Sequence, residues 1–122
     1  DKRKGLYFMF RLIITDHANR RLTERAAFIS SDRYMSIATE AFNLRYCRPV
    51  SNKALCMYLE HLESNAYPGE RRFASVWGEY IFIFSKSKNR NDRRIFLNTV
   101  YRINKQTVLS CVIYNTLISS KY

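Results

Sequence analysis

Arg94-Ile95-Phe96-Leu97-Asn98-Thr99-Val100-Tyr101-Arg102-Ile103 alternates along its whole length, with Ile95, Leu97, Thr99, Tyr101 and Ile103 on one side and Phe96, Asn98, Val100 and Arg102 on the other. A period of two is that of a strand whose successive side chains point to opposite faces of a sheet, and the segment reads as a central strand. Just before it, Ser87 to Arg94 spells S-K-N-R-N-D-R-R, a polar basic loop. Before that loop, Phe73 to Ser85 is aromatic and β-branched, with Gly78 as a bulge or a strand break. Tyr67-Pro68-Gly69 marks the turn at which the chain changes from helical to strand-like character.

The first half predicts one strand and then helices. Leu6 to Ile14 is dense in Tyr, Phe and Ile, broken only by Arg11, and reads as an opening strand. Thr15 or Asp16 then caps a helix whose apolar stripe is Ala18, Leu22 and Ala26. Asp32 is the expected cap of a second helix with Met35, Ala38, Ala41 and Phe42 on one face. Pro49 separates it from a third, capped by Ser51, with Leu55, Tyr58, Leu59 and Leu62 on its buried side. The tail from Thr107 to Leu117 fits both periods and is read as a helix. The expected fold is therefore α+β, one domain over residues 1–122, with the N-terminal strand and helices packed on an antiparallel β-sheet.

Composition narrows the partners. Lys and Arg number 21 against 10 Asp and Glu, a net charge of +11, and a polyanion such as nucleic acid is the first candidate. A membrane surface is disfavoured because the basic residues are spread along the chain, and no run approaches the roughly 18 to 20 apolar residues of a spanning helix. The start, Asp1-Lys2-Arg3-Lys4, has neither an initiator Met nor a signal-peptide pattern, as in a processed chain or a domain of a longer protein. Cys47, Cys56 and Cys111 are odd in number and form no C-x-x-C pair, which suggests reduced thiols in a cytoplasmic setting. With only three glycines there is no phosphate-cradling loop, and Asp16, Glu24 and Glu79 are too scattered for a two-metal nuclease, so neither a metal nor another cofactor is expected.

The chemistry concentrates in the first helix. His17, Arg21 and Arg25 stand at i, i+4 and i+8, one helix face, beside the apolar stripe and able to border a cleft. An imidazole can carry a proton near neutrality, and guanidinium groups fork onto phosphate oxygens while staying charged. The same row would equally suit a solvated basic helix with an incidental His. His61, between Glu60 and Glu63 in E-H-L-E, reads as a surface residue. Lys86, Lys88, Arg90, Arg93 and Arg94, with only Asp92 among them, form the best candidate for a backbone-binding arm. Arg20, Arg71, Arg72 and Arg102 are further candidate RNA contacts, and nine tyrosines would let unpaired bases stack.

A strand, a helix opening H-A-x-x-R-x-x-x-R, a helical middle and antiparallel strands ending in N-T-V-Y-R resemble the barnase, EndoU, colicin and RelE group of small ribonucleases, toxin domains among them. Residues 12 to 29 and 73 to 103 carry the likeness, and the helical stretch between looks longer than usual. The resemblance implies metal-independent endoribonuclease activity in which the 2′-hydroxyl attacks the adjacent phosphate. His17 would then be base or acid, and Arg21 and Arg25 would stabilise the phosphorane. For the remaining role the likeness favours Thr99 and Tyr101 at the end of the last core strand, with Tyr80 on the neighbouring strand. It also implies an acidic antitoxin or immunity protein that covers the basic cleft. The alternative is a non-catalytic basic protein that grips nucleic acid or inhibits another machine.

Overall fold

In the computed structural model, which describes residues 10–47, 52–104 and 106, the alternating segment is an interior strand. The chain runs β1 (Arg11–Ile14), α1 (Asp16–Arg25), a 3-10 turn (Ser31–Arg33), α2 (Tyr34–Cys47), α3 (Lys53–Glu63), β2 (Glu70–Trp77), β3 (Tyr80–Ser87) and β4 (Arg94–Arg102). The four strands form one sheet in the order β1-β4-β3-β2. The fold is α+β, with helices on a sheet. The sheet differs from the expected one in being mixed: β1 joins it parallel to β4, Arg11 opposite Arg94, while the other pairings are antiparallel. A parallel neighbour requires a crossover, and α1 to β3 supply it.

Helices cover both faces. On one, Ala18 and Leu22 of α1 and Ile37, Ala38, Ala41 and Phe42 of α2 pack on Phe73, Phe82, Phe84, Ile95, Leu97 and Val100. Ala18, Ala38 and Ala41 are fully buried, and their small side chains let the helix backbones lie close to the strands. Phe42 meets Phe73 and Phe84 edge to face, with ring centroids 5.6 and 5.4 Å apart. On the opposite face, Tyr58 and Leu59 of α3 cover Ala74, Ile81 and Ile83.

Local signals account for most boundaries. Thr15 caps α1, its hydroxyl accepting from the Ala18 N–H at 3.1 Å. Asn52, one residue past the expected Ser51, caps α3 by accepting from the Leu55 N–H at 3.0 Å. Asp32 caps no α-helix; it lies in the 3-10 turn, bonded by the Ser30 hydroxyl, and α2 starts at Tyr34. Its stripe accordingly begins at buried Tyr34, and Met35 is exposed. Gly78, at φ +59°, breaks the predicted Phe73 to Ser85 strand into a hairpin with Trp77 opposite Tyr80, the first linking position being one that favours glycine. The Leu6 to Met9 part of the expected opening strand, Pro49, Ser51, Cys111 and the helix expected over 107–117 lie outside the described residues. Among the described residues no helix is long and apolar enough to cross a membrane.

A bulge in β4 overturns the alternation read from sequence. Ile83 pairs with Thr99 and Phe84 with Leu97, so Asn98 is an extra residue on β4. Its amide donates to the Ser85 hydroxyl at 2.8 Å. Beyond it the faces exchange: Val100 joins Leu97 in the core under α1, while Thr99, opposite Ile83, and Tyr101 turn to the α3 side. Thr15 locks α1 onto this bulge, donating from its hydroxyl to the Leu97 carbonyl at 2.9 Å and from its N–H to the same oxygen at 3.2 Å. Thr15→Ala removes the cap and this tether together and is expected to cost about 1–2 kcal/mol, read from urea unfolding.

Candidate functional site

The two flanks of α1 have different neighbours. On one, the Asn19 and Thr23 side faces α2, with Thr23 Oγ1 3.5 Å from the Tyr34 hydroxyl. On the other lie His17, Arg21 and Arg25. At 3.6 residues per turn this row drifts toward the buried stripe as it advances. Arg25 accordingly reaches the sheet, its Nη1 donating to the Val100 carbonyl at 2.8 Å. β1 pairs only with Arg94 to Leu97, so that carbonyl lies on the part of β4 beyond β1. The last member of the row, Arg25, therefore reaches a stretch of β4 edge that no described strand covers, two residues past the Asn98 bulge. Bulges concentrate beside active sites because they re-aim side chains and end pairing.

His17 is exposed and makes no hydrogen bond or ion pair within the described residues. Arg21 is bonded to Glu24 at 3.0 Å in a pair one helical turn apart and open to solvent. Such a pair holds by about 0.3–0.5 kcal/mol and yields readily to a phosphate. Arg25 spends one guanidinium nitrogen on Val100 and retains donors for a ligand. Arg20 is exposed, one turn from His17 on the solvent side of the row.

Of the three residues expected to complete the site, Tyr80 comes up to it but is otherwise engaged, and Thr99 and Tyr101 are not brought to it. Tyr80 is buried in the α1 face, and its hydroxyl is committed to the Arg25 carbonyl at 3.0 Å, where it stops the end of the helix. Thr99 and Tyr101 lie across the sheet from His17, because the bulge reverses the strand after Leu97. Burial, with the Tyr58 hydroxyl adding to it, pushes the Tyr101 phenol well above its ordinary value, so it is a poor proton carrier as well as a distant one.

The other candidates separate to the two ends of the sheet. β1 and β4 begin, β3 ends and β2 begins at one end, where Arg11 lies opposite Arg94 and Arg71 opposite Lys86. The 88–93 loop adds Lys88, Arg90 and Arg93, all exposed. Within this group Arg94 is held by Asp92 at 2.9 and 3.0 Å, which lowers the Asp92 carboxyl to about 2. Arg72 is held by Glu70 at 3.0 Å and lies over the Tyr67 ring. Arg102 is at the far end, bonded to Glu79 at 2.8 Å. His61 is exposed on α3.

A cavity of about 710 Å³ lies outside β2, between the ends of α2 and α3, lined by Arg45, Tyr46, Glu60, Glu63, Arg71 and Phe73 among others. Glu63 organises its wall: it takes two bonds from Arg45, at 2.7 and 3.1 Å, and accepts the Ala74 N–H of β2 at 2.8 Å. The hydrogen bond to Glu63, outweighing burial, raises the Arg45 pKa. Neither this hub nor Arg11 was singled out in the sequence, where E-H-L-E resembles any polar helix face. No family model, no curated protein and no solved structure matches the chain.

Proposed function

We propose that the protein is a metal-independent endoribonuclease whose centre is His17 with Arg21 and Arg25. The observation that carries this reading is the bond from Arg25 to Val100, which brings the end of the row onto the edge of β4 that no described strand covers, two residues past the bulge. In the reaction the 2′-oxygen forms a bond to the adjacent phosphorus and the bond from phosphorus to the 5′-oxygen breaks. His17 accepts the 2′ proton. Arg21, leaving Glu24, and Arg25 stabilise the charge on the phosphorane oxygens. With Thr99 and Tyr101 across the sheet and the Tyr80 hydroxyl bonded to the Arg25 carbonyl, His17 is the one proton carrier of the row, and water protonates the leaving oxygen.

The net charge of +11 supports two further parts of the reading: RNA as the polyanion, and an acidic antitoxin or immunity protein as the restraint on activity in the cytoplasm. A second reading, RNA binding without cleavage, draws on the basic end of the sheet, which lies apart from His17. Incubating the protein with a labelled single-stranded RNA in excess chelator separates them. Cleavage that is lost in Arg25→Ala and Arg21→Ala by about 10²–10³-fold supports the enzyme; RNA retained intact on the protein supports the binder.

A further inference from the structure

Arg71 on β2 and Lys86 on β3 are register partners in an antiparallel pair, so two positive side chains stand side by side on the α2 face of the sheet. Neither makes an ion pair among the described residues. Lys86 donates instead to the Ser87 and Asn89 carbonyls, at 3.1 and 3.3 Å, and the carboxylate nearest in sequence, Asp92, is chelated by Arg94. Opposed like charges destabilise a strand pair, and with no described carboxylate in ion-pair contact with either they point to an anion from outside the chain. Both lie on aromatic rings, Arg71 4.8 Å from the centre of Phe73 and Lys86 6.0 Å from that of Phe10. Between these rings stands Tyr46, stacked on Phe42 at 5.3 Å and 39 % exposed.

The same Arg71, Tyr46 and Phe73 line the 710 Å³ cavity. Its other charges include Glu60 and the pairs Arg45–Glu63 and Arg72–Glu70, so a phosphate is favoured at the edge of the cavity, at Arg71 and its strand neighbour Lys86, and a neutral ring inside. We propose that this cavity takes one unpaired nucleobase of single-stranded RNA beside Tyr46, with the adjoining phosphate held between Arg71 and Lys86. It is an anchoring site separate from the His17 row, and it rests on the ribonuclease reading only in taking RNA as the ligand. A base inside a duplex cannot enter, which makes the site selective for single strands.

The test uses His17→Ala protein, so that RNA survives, and a fluorescent uridine octamer followed by anisotropy across a salt series. Lys86→Gln and Arg71→Gln keep the side-chain stems on Phe10 and Phe73. Each is expected to weaken binding about three- to tenfold and to lower the slope of log affinity against log salt by about 0.7, without lowering the melting temperature. A 4-thiouridine octamer irradiated on the same protein is expected to crosslink to the peptide containing Tyr46. Unchanged affinity in both variants overturns the proposal. So does equal binding of a duplex, or displacement of the octamer by polyglutamate of equal charge, which would assign the surface to an acidic protein. If the wild-type protein leaves RNA intact while both variants lose affinity, the ribonuclease reading fails and this site stands. If RNA is cut but the variants bind normally, the reverse holds.

Discussion

His17→Ala is expected to reduce RNA cleavage by about 10²–10⁴-fold, the ordinary range for losing a positioned acid or base, while leaving RNA affinity nearly unchanged. The helix does not need the imidazole: His17 is exposed, touches no hydrogen-bond partner in the described chain, and sits in a turn already fixed by the Thr15 cap. A lost rate with retained folding therefore isolates chemistry from structure. Initial rates on one RNA, measured for parent and variant beside the affinity of each for that RNA, check this.

The second large effect is structural and lies at the cavity wall. Glu63→Ala is expected to destabilise the fold by about 3 kcal/mol. The substitution leaves Arg45, whose side chain is 18 % exposed, without its partner, and leaves the Ala74 N–H of β2 without an acceptor. Glu63→Gln restores an acceptor for that N–H and is expected to recover part of the loss. Urea unfolding of the parent and the two variants measures the difference. The loss also loosens α3 from β2, since Glu63 is the polar tie between them.

How much of this was legible in the sequence depended on whether the signal was local. The stripe Ala18-Leu22, the Thr15 cap, the apolar face Tyr58-Leu59 and the interior position of β4 follow from periodicity and capping, and the structure has them as read. The Asn98 bulge went unread: its trace is no more than the polar pair Asn98-Thr99 after the apolar run Ile95-Phe96-Leu97, and pairing with β3 reveals the extra residue. One unseen residue then moved Thr99 and Tyr101 to the wrong face for a site with His17, because each shift by one residue reverses every side chain beyond it. The parallel pairing of β1 was likewise hidden, since a short strand carries no record of its partner's direction. The row His17-Arg21-Arg25 was visible as spacing, but the reach of Arg25 to Val100 was not, being a contact between residues far apart in the chain. The opposed pair Arg71 and Lys86 was recognised only as charge; its meaning came from register.

The most direct measurement is the chemistry of the RNA ends after incubation with the protein in chelator. Attack by the 2′-oxygen with His17 as base predicts fragments carrying a 2′,3′-cyclic phosphate and a 5′-hydroxyl, absent from the His17→Ala reaction. Fragments bearing 5′-phosphates, or RNA that stays whole at protein concentrations sufficient to bind all of it, would contradict the account.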